Sequence, residues 1–219
     1  MPQDRGTVLR IVNEAARRYC GVIPEDRWRD PYMPGEELDD EIASGVEFLV
    51  ACDGDETLGL MGLQERADVA LVRHAYVAPH AQGRGVGTAL LNECMASTGQ
   101  PVLIGTWAAA TWAIDFYRRN GFTLVPAPRK DDLLRRYWSI PDRQIETSVV
   151  LADGAGCNGA TAFRSARNPR ADPPGQRGPG FHHRAGRHTA LVIWIPGSSS
   201  PARGSSRGPA RPNASSSLP

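Results

Sequence analysis

Apolar and polar positions alternate with two different periods along the first 150 residues, and the switches between them mark the elements. Residues 4–20, DRGTVLRIVNEAARRYC, place Val8, Val12, Ala15, Ala16 and Tyr19 on one face with charges opposite, the period of an amphipathic helix. Asp4 suits its N-cap or first turn. Pro24, Pro31 and Pro34 make residues 21–35 an irregular loop, and Pro34-Gly35-Glu36-Glu37 opens a second, acidic helix to about Ser44. Two β-rich runs follow, 46–52 and 57–64, joined by the turn residues Asp53-Gly54-Asp55-Glu56. Residues 69–77 form a third strand that Pro79 ends, since proline cannot donate to a ladder. Leu90, Leu91, Cys94 and Met95 give the apolar face of a helix. A strand over 101–107, a helix over 108–120 closed by Gly121, a short strand over 122–125 and a last strand over 144–151 complete the series. PRKDDLLRRYWSIP reads as a short helix or turn insertion. The fold class expected is α/β, a mixed and largely antiparallel sheet with helices on both faces.

Composition splits the chain near Asp153. Residues 1–153 carry 16 basic against 23 acidic side chains, a net of −7, and residues 154–219 carry nine Arg against one Asp, a net of +8. The overall charge of +1 is therefore a cancellation. The first part is long enough to bury a core without staples. The second is built from Arg, Pro, Gly, Ala and Ser, with no sustained period beyond ALVIWIP (190–196), and such a composition predicts disorder. The domains expected are thus 1–152 and a tail, 153–219. All five tail residue types have GC-rich codons, so a frameshift product is the leading explanation, beside a natural disordered tail or a basic arm for nucleic acid. His182, His183 and His188 could be read as a metal tract, but no metal is expected.

The cysteines at 20, 52, 94 and 157 show no metal-ligand spacing, and Cys94 reads as a small core residue. No disulfide framework, apolar leader or run of 18 apolar residues is present. A soluble, cytoplasmic protein is expected.

The chemistry is concentrated between the third strand and its helix, in HAQGRGVG, with glycines at 83, 85 and 87. Glycines let another group approach the main chain closely. Free N–H groups leading into a helix N-terminus make an anion site. The plainer reading is a tight strand-to-helix turn. A Walker A loop would need Lys before Thr88, and the glycine spacing does not fit a dinucleotide fingerprint.

The run Gln82-Gly83-Arg84-Gly85-Val86-Gly87 after Val77-Ala78-Pro79 resembles the acyl-CoA-binding segment of the GNAT superfamily of N-acetyltransferases. AIDFYRRNGF (113–122) resembles the segment that closes the same site. The resemblance covers about residues 1–152. It implies a site for acetyl-CoA, with Gln82 to Thr88 holding the pyrophosphate through main chain. Arg84 is either a phosphate partner or a solvated loop arginine. It implies a splay between strands 69–77 and 101–107 that receives the pantetheine arm, main-chain contacts from Tyr76 and Val77, and the Val77 N–H as oxyanion donor. Tyr117 is the expected proton donor to the leaving thiolate, the alternative being a core tyrosine beside Phe116 and Phe122. The general base stays open: His74 comes first, Glu65 second, and a structural His74 is the rival reading. Trp28 and Tyr32 either line the acceptor site or pin a loop to the core.

Two departures from the family pattern stand out. No strand precedes the first helix, which suggests a truncated start or a missing edge strand. Ala110 replaces a frequent Asn, removing one cofactor hydrogen bond. The activity expected is acetyl transfer from acetyl-CoA to a primary amine of a small acceptor, in a ternary complex. The alternatives are an acyl-CoA-binding module with impaired catalysis, or nucleic-acid binding through the tail. The acidic first part favours a cationic acceptor over an anionic one. A homodimer is compatible with the sequence, and neither a membrane nor nucleic acid is the expected partner.

Overall fold

The computed structural model describes residues 2–154 and the backbone of 191–194. The helix α1 (Pro2–Ala16) runs into a 3-10 turn at Arg17–Tyr19, and α2 (Gly35–Ala43) follows the proline loop. The strands β1 (Val46–Asp53), β2 (Glu56–Glu65) and β3 (Ala70–Val77) form an antiparallel meander. Next come α3 (Val86–Ala96), β4 (Val102–Trp107), α4 (Thr111–Arg119), β5 (Thr123–Leu124), α5 (Ala127–Tyr137), α6 (Asp142–Glu146) and β6 (Ser148–Ala152).

All strands join one sheet in the order β5-β6-β4-β3-β2-β1, and Leu191–Trp194 adds β7 outside β1. Among the described pairs only β3 with β4 and β1 with β7 are parallel. β7 is the ALVIWIP stretch of the tail. It takes the edge where the sequence suggested an absent strand. The expectation of a disordered tail otherwise falls outside the described residues, as do the histidine tract and Cys157.

Strand alternation sends successive side chains to opposite faces. Leu49, Met61, Val72, Ile104 and Leu151 meet α3 and α4 on one face. On the other, Phe48, Val50 and Leu60 pack against α1 and α2, and Leu71, Leu103 and Val150 against α5. The mixed, mostly antiparallel sheet with helices on both faces is as expected.

One expectation is resolved and another needs correction. Of the helix and the turn offered for PRKDDLLRRYWSIP, the structure has the helix: α5, 11 residues from Ala127, with Leu134 and Tyr137 buried on the sheet. The last strand starts at Ser148, not at 144. Pro141 opens α6 there, its carbonyl receiving the N–H groups of Gln144 and Ile145, so a local helical turn overrides the alternating pattern. Among the described residues no helix is long and apolar enough to cross a membrane.

Candidate functional site

One feature of β3 shapes everything around it. The β2–β3 register pairs Gly62 with Arg73 and Leu60 with Tyr76. Met61 alone therefore faces both His74 and Ala75, which is a β-bulge. His74 takes φ +51° to make it, a left-handed conformation uncommon outside glycine. Gly62 permits the close approach, because a Cβ there would stand 2.8 Å from Val46 Cγ1 and 3.0 Å from the Arg73 carbonyl oxygen.

The bulge puts the side chains of Arg73 and His74 on the same side. Arg73 meets the Glu41 carboxylate of α2 at 2.7 Å and Gln64 Oε1 at 3.1 Å, and His74 Nε2 approaches Glu41 Oε2 to 3.4 Å. Burial alone would raise the Glu41 carboxyl. The His74 contact and the charges of Arg73 and Arg66 outweigh that and hold it below its ordinary range. Past the bulge, Ala75 and Val77 pack toward α3 and α4, and Tyr76 toward α1.

The bulge also ends the pairing of β3 with β4, whose ladder covers only Ala70–Val72 against Val102–Ile104. Beyond it the strands part. Ala78 N–H donates to the Leu58 carbonyl at 2.8 Å. The adjacent pair Gly59 and Val77 is then a non-bonded one, so the Val77 N–H turns from β2 toward β4. By the same alternation, Ala108 bonded to Thr147 at 2.8 Å leaves the main-chain groups of Trp107 facing β3. Two strands thus present backbone to each other without a ladder between them.

A cavity of about 960 Å³ opens along this splay. At one end lies the glycine loop. Gly83 and Gly85 have φ of +75° and +83°, which steer the chain into α3 with Gly85 as its N-cap. Among the described residues, no hydrogen bond occupies the N–H groups of residues 83–88; the first engaged is Ala89, on the Gly85 carbonyl at 3.0 Å. Gln82 Nε2 closes the loop on the Val77 carbonyl at 3.1 Å. Gly87 lies against Phe116, whose Cζ a Cβ would meet at 3.3 Å. Gln82, Gly83, Gly85, Val86, Gly87 and Thr88 all line the cavity, whereas Arg84 is exposed outside its wall.

Tyr117 is 6% exposed and lines the cavity's middle, edge-on to Phe116 at 5.0 Å and to Phe122 at 6.1 Å between ring centroids. Tyr117 is thus a core tyrosine that also contributes to the cavity wall. Burial, then neighbouring Tyr19 and Cys94, push the phenol far above its ordinary value. Burial likewise pushes Cys94 up to about 12, which suits a packed thiol and not a nucleophile.

The opposite end is aromatic. Tyr19 stacks on Tyr32 at 5.9 Å and leans on Trp112 at 5.5 Å, and Trp107 Nε1–H points at the Tyr32 hydroxyl at 3.4 Å. Tyr76 and His74 also line the cavity. Trp28 packs on Tyr32 at 5.6 Å but lies behind the wall, as an anchor. Glu65 stands apart at the end of β2, where it accepts a hydrogen bond from Gln100 Nε2 at 2.8 Å. It is not among the residues that line this cavity. Sequence reasoning passed over Glu41, Tyr19, Trp107 and Trp112. Tyr19 was legible only as the last apolar position of the helix expected over 4–20, and Trp107 as the end of a strand.

Residues 44–124 match the family model described as acetyltransferase (GNAT) domain. Among solved structures, the chain is similar to the PaiA N-acetyltransferase of Thermoplasma acidophilum, determined in complex with coenzyme A. That match has a TM-score of 0.52 and 20% identity over 69% of this chain and 92% of that one. A GNAT-family acetyltransferase of Staphylococcus aureus gives 0.50 and 17% over 68% and 91%. An acetyltransferase of Thermus thermophilus gives 0.50 and 17% over 69% and 91%. At these identities the likeness is one of fold. No curated protein matches the sequence.

Proposed function

We propose, from the match of residues 44–124 to the GNAT acetyltransferase domain model and from the cavity, that the chain moves an acetyl group from acetyl-CoA to a primary amine of a small acceptor, by direct attack in a ternary complex. The observation that carries this reading is the row of N–H groups over residues 83–88. They stand unengaged at the positive end of α3, and all but Arg84 belong to residues that line the same cavity as the splay. Backbone amides at a helix N-terminus suit a pyrophosphate, and the exposed ladder edges of β3 and β4 suit an amide-bearing arm laid between them. The residues present therefore fit coenzyme A. When bound, acetyl-CoA supplies the activated acyl group.

The chain's own groups divide the remaining work. Residues 82–88 hold the anionic end through main chain. The Val77 N–H, turned into the splay, donates to the carbonyl oxygen on which charge develops. Tyr117, protonated across the working pH range, gives a proton to the departing sulfur. His74, on the wall beside Tyr76 and 3.4 Å from Glu41, is the group we assign to accept the amine's proton. A cytoplasmic location accords with this chemistry.

A second reading, binding of acyl-CoA with impaired catalysis, draws on Ala110, which leaves α4 without a side-chain N-cap. Calorimetric titration with acetyl-CoA, followed by a free-thiol assay over an amine panel, separates the two. Binding with amine-dependent thiol release supports transfer; binding without release for any amine leaves the second reading; no binding removes both.

A further inference from the structure

The aromatic end of the cavity has a charge pattern of its own. Of the cations in the wall there, Arg73 is taken by Glu41 at 2.7 Å. Arg18 is exposed and pairs with no carboxylate among the described residues. Its guanidinium carbon lies 4.4 Å from the centroid of the Trp112 ring. Among the described residues the single carboxylate in the cavity wall is Asp115, one turn further along α4 and exposed. A polyamine entering this end would thus meet a guanidinium and aromatic faces, with no ring of carboxylates to replace its water. An arylalkylamine would find the rings but leave Arg18 unused. A planar guanidinium, fixed by stacking on an indole, presents its donors as a fork that matches a carboxylate.

We propose that this end of the cavity binds an aromatic α-amino acid. Its ring lies on the wall of Tyr19, Tyr32 and Trp107, its carboxylate on Arg18, and its amine points along the cavity toward Val77. The assignment rests on the acetyl-transfer reading for the fate of the amine, but the binding itself does not need turnover. It also departs from the preference for a cationic acceptor that the acidic first part suggested. The acidic side chains lie mostly outside the cavity, and the local cation decides.

The test compares three ligands on the full-length protein, with and without saturating coenzyme A, followed by tryptophan fluorescence. They are L-phenylalanine, phenethylamine (the same molecule without its carboxylate) and spermidine. Phenylalanine should bind about fivefold tighter than phenethylamine, the upper end for one exposed ion pair. Arg18→Gln, at an exposed position, should remove that gap and leave phenethylamine affinity within about twofold. The proposal is overturned if spermidine or phenethylamine binds as tightly as phenylalanine, if the gap survives Arg18→Gln, or if none of the three binds. Arg18-dependent binding of phenylalanine to a protein that ignores coenzyme A would uphold the subsite and sink the transferase reading. Thiol release with spermidine and not with phenylalanine would do the reverse.

Discussion

The two ends of the cavity are built on opposite plans. At the α3 end the working groups are main-chain amides, delivered by one continuous segment, and side chains matter there mainly by being small. At the aromatic end they are side chains, and they come from α1's closing turn (Tyr19), the proline loop (Tyr32), the end of β4 (Trp107) and the start of α4 (Trp112). On the proposed function, the first plan would hold a ligand by backbone geometry and the second by which residues happen to meet, so the acceptor end could change without disturbing the other. Between them stands the bulge of β3, held by Glu41.

The largest effect should come from that joint. Glu41, Arg73 and His74 have side chains 14%, 19% and 14% exposed, so Glu41→Ala leaves a cation nearly buried without its partner. A loss of about 3 kcal/mol in unfolding free energy is expected, the lower end for breaking a buried pair. Both ends of the cavity should weaken together. The pH dependence has a definite sign. The folded carboxyl is lowered from its ordinary value of 4.5, so its contribution is complete above that value and is lost as pH falls through the folded one. Urea unfolding of wild type should therefore show an acid limb that Glu41→Ala flattens. An unchanged limb would mean that Glu41 is not held low.

Tyr117→Phe separates chemistry from binding at the centre. Turnover should fall about 100-fold, the low end of general acid–base contributions, with coenzyme A affinity unchanged by calorimetry. Because burial drives the phenol upward, no alkaline limb of the pH–rate profile should belong to Tyr117. Unaltered turnover would return this residue to the core it shares with Phe116 and Phe122.

A milder change should isolate the α3 end. Gly85 has φ +83° and open space where a Cβ would go, so Gly85→Val meets no neighbour but loses the left-handed conformation. That costs about 1–2 kcal/mol, or roughly a tenfold loss of coenzyme A affinity, while the aromatic end should bind its ligand as before. If both affinities fall equally, the two ends are not independent.

The same division explains what was legible in the sequence. Gly83, Gly85 and Gly87 lie within five residues, and the chemistry proposed for them needs no partner from elsewhere, so the candidate anion site could be read directly. Strand and helix periods likewise placed every strand and α-helix of the first 124 residues to within a few positions, though not the 3-10 turns. The aromatic end could not be assembled that way, since Tyr19 and Trp107 meet across 88 positions of chain, and each alone reads as core. Glu41 was one acid among several on α2. Only the bulge turns His74 and Arg73 toward it, and although this polar pair breaks the alternation of β3, nothing local in the sequence names α2 as its partner. α6 was missed for a related reason: the alternation over 144–151 is real, yet Pro141 imposes a turn first.

The smallest expected effect concerns Ala110, whose place in the two plans is the sharpest question. By resemblance an Asn there would serve the cofactor. In the fold, Ala110 is fully buried and packs with Ile23 and Trp107, in the cluster that includes Tyr19, Trp112 and Tyr32. It caps α4 with φ −82° and ψ 64° and no side-chain bond. Two terms then oppose each other in Ala110→Asn. A side-chain cap contributes about 1 kcal/mol where the geometry allows it, but this ψ lies outside the extended region that capping prefers. Burying an amide among apolar groups without a partner costs about 1–3 kcal/mol. The second term should win by about 1 kcal/mol, read as a lowered melting temperature, with binding of an aromatic ligand weakened and coenzyme A affinity unimproved. Tighter coenzyme A binding at undiminished stability would instead assign position 110 to the backbone-built end, and would show that the boundary between the two plans runs through α4 and not in front of it.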